Sequence, residues 1–142
     1  MITKEITVFT EVNAEISKVW DFWTNPKHII NWHFEDDDWL DWICTDAEND
    51  LKTGWKFNFI LSDEEWTWSF YFSWIYILIE ELKHIKYEMM EDWRKVEIIF
   101  EELWDKTKIT ETFDMEDINS EELQRAGWQS ILENFKKYLE NN

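Results

Sequence analysis

The chain has 142 residues and a formal charge of -18, from 32 acidic against 14 basic side chains. That balance argues against nucleic acid, whose phosphates need clustered Lys and Arg, and against anionic membranes. Cys44 is the one cysteine, so no internal disulfide can form and a reducing cytoplasmic setting fits best.

The length fits one domain over residues 1–142, able to bury roughly two thirds of its unfolded surface. The opening "ITKEITVFTEV" sets Ile2, Ile6, Val8 and Val12 on one parity, the two-residue period of a half-buried strand rather than a signal peptide. Asn13 is read as the start of a helix, with Ile16, Val19, Trp20 and Trp23 on one face. "TNP" ends it, and Asn25-Pro26 starts a short second helix through "KHIINW", with Pro at the first helical position.

From Gly54 onward the period is two. Trp55, Phe57, Phe59 and Leu61 alternate with Lys56, Asn58 and Ser62. In "EEWTWSFYFSWIYILIEE", Trp66, Trp68, Phe70, Phe72, Trp74, Tyr76 and Leu78 take one face of a strand. The run from Trp66 to Ile79 is 14 residues, against about 20 for a bilayer-spanning helix, so no membrane segment is expected. Extended, it would reach roughly 46 Å, so a bend or bulge is required.

Strands follow at "HIKYEM", "KVEIIFE" and "KITETF", joined by short connections into an antiparallel meander. The last element is a long helix, "NSEELQRAGWQSILENFKKYLE", with Asn119 and Glu122 as a capping box. Its predicted inner stripe is Gly127, Ile131, Phe135 and Tyr138, widened by Leu123, Trp128 and Leu139; Arg125, Gln129, Glu133, Lys136 and Glu140 are placed toward water. The fold class is therefore α+β: a curved antiparallel sheet of about six to seven strands around one C-terminal helix, with two short helices after the first strand.

At "VWDFWTNPKHIINW", "CTDAENDLKTGWKF", "KITETFD" and the final helix the chain resembles members of the START-like (SRPBCC) superfamily, in the branch of the activator of heat-shock-protein-90 ATPase. The resemblance runs nearly end to end and implies the helix-grip fold, with a hydrophobic cavity between the sheet and the last helix. It implies a small hydrophobic ligand, or a chaperone partner in the manner of the co-chaperones, which carry an additional domain; some superfamily relatives are cyclases or hydrolases. "FEDDDWLDWICT" is longer than the family pattern, and Trp stands at 55, 68, 74, 93 and 104 where relatives usually carry Gly.

The chain has 12 Trp and 2 Gly, where average usage near 7% predicts about ten Gly. In "MEDWRKVE", Trp93 follows Asp where an Asp-Gly hairpin turn is expected. A stop codon reassigned to Gly but read as Trp accounts for both facts, and filling of the interior with aromatics is the alternative.

For a ligand wall the candidates are Phe57, Phe59, Phe70, Phe72, Trp74, Gly127, Ile131 and Phe135, which as plain core would need no ligand. Gly127 in a helix stripe marks either room for a ligand or close packing on the sheet, and packing is the simpler reading. His28, His33, Cys44, Asp36, Asp37 and Asp38 lack metal-ligand spacing, so neither metal nor cofactor is expected. Glu111 is the weak catalytic candidate: it shares parity with Ile109 and Phe113, and a buried carboxyl there would gain a raised pKa. A Glu facing solvent at a strand end is the simpler expectation.

Overall fold

The structure, a computed structural model, describes residues 4–32, 42–49, 56–63, 69–90 and 92–142. The chain runs β1 (Glu5–Val12), α1 (Ile16–Thr24), α2 (Pro26–Trp32), β2 (Trp42–Asn49), β3 (Lys56–Asp63), β4 (Ser69–Glu80), β5 (His84–Met89), β6 (Lys95–Glu102), β7 (Thr107–Asp114) and α3 (Glu121–Glu140). The strands form one antiparallel sheet in the order β1-β7-β6-β5-β4-β3-β2. Consecutive hairpins carry the chain from β2 to β7, and β1 then pairs with β7. This is the expected helix-grip architecture. Among the described residues no helix is long and apolar enough to cross a membrane.

Alternation puts one apolar face inward on each strand. Ile6, Val8 and Val12 of β1, Ile109 and Phe113 of β7, Val96, Ile98 and Phe100 of β6, and Ile85, Tyr87 and Met89 of β5 are all buried. β4 carries the expected irregularity, a register shift between Tyr76 and Leu78. The shift exchanges the faces: Leu78 pairs with Lys86, whereas Ile79 pairs with Ile85 and packs against the core. Leu78 therefore leaves the face that alternation assigned to it. β2 escaped alternation for the same reason, since its register shifts between Cys44 and Asp46.

Helix ends differ from the expected ones by a residue or more. α1 begins at Ile16 after Glu15, and the Asn13 amide donates to Glu140 Oε2 at 2.9 Å instead of Asn13 capping the helix. Ser120 rather than Asn119 caps α3, its hydroxyl accepting from the Leu123 amide at 3.1 Å. Glu121 and Glu122 in that first turn complement the helix dipole.

The inner stripe of α3 holds Trp128, Ile131, Phe135, Tyr138 and Leu139 as predicted, but is rotated enough to leave Leu123 exposed and to bury two residues not assigned to it, Gln124 and Leu132. Gln124, Leu132, Phe135 and Leu139 are buried, and Trp128 stacks on Phe113 at 4.0 Å. The rotation follows from what the neighbouring face does. β1 is an edge strand, and Arg125 Nη1 donates to the Thr7 carbonyl and Gln129 Nε2 to the Phe9 carbonyl, each at 2.9 Å. Residues assigned to water thus satisfy the free backbone of a sheet edge, which would otherwise recruit a further strand. With this flank of α3 turned to β1, Gly127, Ile131 and Tyr138 fall on the opposite flank.

Candidate functional site

The inward surface of β4 to β7 beneath α3 is apolar except for a few polar groups. Glu111 sits at its centre, register-paired with Val8 on β1 and Ile98 on β6. It is 4% exposed, so the structure corrects the expectation of a solvent-facing Glu. The even period of "KITETF" places it there: a residue between Ile109 and Phe113 on one parity cannot point outward without a bulge.

Burial alone pushes the Glu111 carboxyl up to about 8, because charge is costly in a low-dielectric interior. Among the described residues it receives no hydrogen bond and faces no cation. Tyr87 of β5 lies across β6, in the row of Val96 and Phe113, and is 6% exposed. Its phenol is held well above the ordinary value, first by burial, then by Glu111 and Tyr76, with Arg94 acting in the opposite sense. Arg94 itself is engaged elsewhere, with Nε 2.7 Å from Asp92 Oδ2. A carboxyl and a phenol therefore share one apolar interior as electrostatic neighbours.

Aromatic rings flank Tyr87. Trp74 is buried and stacked on Tyr87, with centroids 4.4 Å apart, and Tyr76 meets Tyr87 edge-on at 6.5 Å. Ile131 packs against the core from the α3 side. Gly127 is half-buried, and a Cβ built there meets nothing within 4 Å among the described residues. Close packing on the sheet, the simpler reading of this glycine, is not seen among the described residues, which leave open space at this position.

Phe135 is fully buried, edge-on to Trp23 and Trp32 at 4.9 Å each. The backbone register pairs Phe57 with Trp74, Phe59 with Phe72 and Leu61 with Phe70; the side chains of Phe57, Phe59, Phe70 and Phe72 lie outside the described residues. Tyr87 and Trp128 were missed as site residues, although both stood on inward stripes; only the electrostatic effect of Glu111 singles out Tyr87.

His28 stacks on Phe22 at 3.8 Å, and its Nδ1 lies 2.9 Å from the Tyr138 hydroxyl, an arrangement that ties α2 to α3. His33, Asp36, Asp37 and Asp38 lie outside the described residues, as do Trp55 and Trp68 and the side chain of Cys44. Among the described residues no group of three His, Cys, Asp or Glu could hold a metal ion.

Residues 13–140 match the model of the family described as activator of Hsp90 ATPase homolog 1-like protein. The solution structure of an AHSA1-like protein from Aeromonas hydrophila is 30% identical with a TM-score of 0.88, covering 97% of this chain and 93% of that one. A protein from Cytophaga hutchinsonii is 40% identical with a TM-score of 0.79 and the same coverage of 97% and 93%. One from Nitrosomonas europaea, 15% identical over 96% of this chain and 94% of that one with a TM-score of 0.79, shares the fold. No curated protein matches. The family match spans most of the sequence, and the chain belongs to the activator of Hsp90 ATPase homolog 1-like family, within the START-like superfamily.

Proposed function

We propose that this domain binds a small, largely apolar molecule between the sheet and α3. The observation that carries the reading is Glu111, a carboxyl buried at the centre of an apolar sheet face with no hydrogen bond or cation acting on it among the described residues, and with the buried Tyr87 phenol as its electrostatic neighbour. A buried polar group left unpaired costs about 1–3 kcal/mol, and such groups in native interiors call for a partner. A guest with one polar end supplies it. The open space at Gly127 and the aromatic rings at Trp74 and Tyr87 support the same reading, since apolar walls with few polar groups are the usual make-up of a ligand site. Phe57, Phe59, Phe70, Phe72, Ile131 and Phe135 complete the proposed wall.

Native mass spectrometry of the purified protein, together with titration by the neutral dye Nile red, tests this. A retained small molecule or saturable dye uptake with altered tryptophan fluorescence is the expected result. A clean apo mass with no dye uptake would overturn it. A second reading, a cyclase-like acid–base enzyme, uses the same Glu111 carboxyl, whose pKa near neutrality suits proton transfer. That reading requires Glu111→Gln to abolish turnover, whereas a binding role requires only a change in affinity. A chaperone partner rests on the family relationship alone.

A further inference from the structure

We propose that the site built by Glu111 of β7 and Tyr87 of β5 selects a hydrophobic amine, a molecule with an apolar or aromatic body and a single protonatable nitrogen. The inference rests on the reading that a ligand occupies this interior, and adds the chemistry of its polar end. Three kinds of head group compete. An anionic head would face a carboxyl with no cation beside it, in a chain of formal charge -18. A neutral alcohol would find one acceptor and one donor, and nothing more.

An amine finds more. The amine arrives from neutral water as ammonium, and Glu111 releases its proton to solvent as it binds, so the carboxylate–ammonium pair is neutral inside the protein. The resulting N–H to carboxylate bonds are charge-assisted and about twice as strong as neutral ones. With the carboxyl at about 8, that release is only about tenfold unfavourable at pH 7. The Trp74–Tyr87 stack, with centroids 4.4 Å apart, adds ring faces that attract a cation. Arg94, the basic group that acts on Tyr87, is drawn off by Asp92 at 2.7 Å and does not compete for Glu111.

The test uses three probes with one body: naphthylmethylamine, naphthylmethanol and naphthoic acid, titrated by calorimetry into the full chain. The amine is expected to bind roughly tenfold tighter than the alcohol, the interval between a charged and a neutral hydrogen bond, and the acid most weakly. In Glu111→Gln the amine's advantage over the alcohol disappears, while Tyr87→Phe weakens both. Equal binding of amine and alcohol, or an advantage that survives Glu111→Gln, overturns the amine while leaving a ligand site in place. Failure of all three probes and of Nile red counts against the ligand reading itself.

A separate observation carries a second inference. Trp93 has φ 61°, in the left-handed region that a bulky side chain seldom occupies, and it is 59% exposed. It closes the β5–β6 hairpin, its amide donating to the Met89 carbonyl at 2.8 Å. Leu82, at φ 65°, is the other such residue among those described, but its side chain packs against the core and is compensated. Trp93 has no comparable burial. We infer that position 93 is a glycine position, occupied by Gly in the protein made by its source cells through a reassigned stop codon. Peptide mass mapping of protein isolated from those cells is expected to find Gly at 93, and Trp93→Gly to shift the folding equilibrium toward the native state by roughly fivefold or more. Trp in the natural peptide, or a Gly variant less stable than the Trp chain, overturns it.

Discussion

Glu111→Gln is expected to stabilise the fold by about 4 to 5 kcal/mol above pH 8, and by almost nothing at pH 4.5 and below. The Glu111 carboxyl stands at about 8 in the folded protein against 4.5 as its ordinary value. Between those limits the native state holds a proton that the unfolded chain has released. Stability therefore falls as pH rises, by about 1.4 kcal/mol per pH unit, until the folded group also ionises. Glutamine, neutral and of the same shape, removes the slope. Glu116 and Glu121 act in another window, because hydrogen bonds from Ile118 and Lys4 respectively hold their carboxyls below the ordinary value. Their stabilisation is present above pH 4.5 and is lost as pH falls through their folded values. Urea denaturation of both proteins from pH 4 to 9 checks the prediction; parallel curves for the two would refute it.

Phe135→Ala is expected to cost about 3–5 kcal/mol, a large share of the 5–15 kcal/mol that holds a domain of this kind. Phe135 is fully buried, and its ring meets Trp23 and Trp32, while Trp23 and Trp20 in turn meet Phe100 edge-on at 5.8 and 5.3 Å. One aromatic cluster thus joins α1, α2 and α3 to β6. The cavity left by the ring cannot be refilled, because each neighbour is itself pinned from behind. Leu123→Ala on the same helix is the control. It was assigned to the stripe from sequence but is 49% exposed, and its loss should stay within about 0.5 kcal/mol. Chemical denaturation of the two variants separates the cases.

The architecture was legible because each element announced its period. Two-residue alternation from Lys56 onward and a helical stripe after residue 120 leave little choice but a curved sheet gripping a helix. The failures have common physical causes. Bulges at Tyr76/Leu78 and Cys44/Asp46 change the parity that alternation depends on, so Leu78 was misassigned and β2 was not named. The stripe of α3 was legible at Trp128, Ile131, Phe135, Tyr138 and Leu139, but Gln124 and Leu132 were missed and Leu123 misplaced. Nothing in the pattern showed that Arg125, exposed as expected, and Gln129 serve backbone carbonyls of β1. Hydrogen bonds of side chain to backbone leave no periodic trace. At the candidate site, parity alone placed Glu111 inward, and the general rule that Glu is exposed argued the other way. Parity won, since a strand paired on both sides has no freedom to turn one residue outward.

The bonds that join Arg125 and Gln129 to the first strand, and Glu140 to the Asn13 amide just beyond it, have a mechanical corollary. A rod sewn to its neighbour along one seam, and tied near its C-terminal end by Tyr138 to His28 of the second helix, is freest along the flank between. Any breathing of the terminal helix is therefore expected to pivot about these ties and to part first beside Gly127 and Ile131.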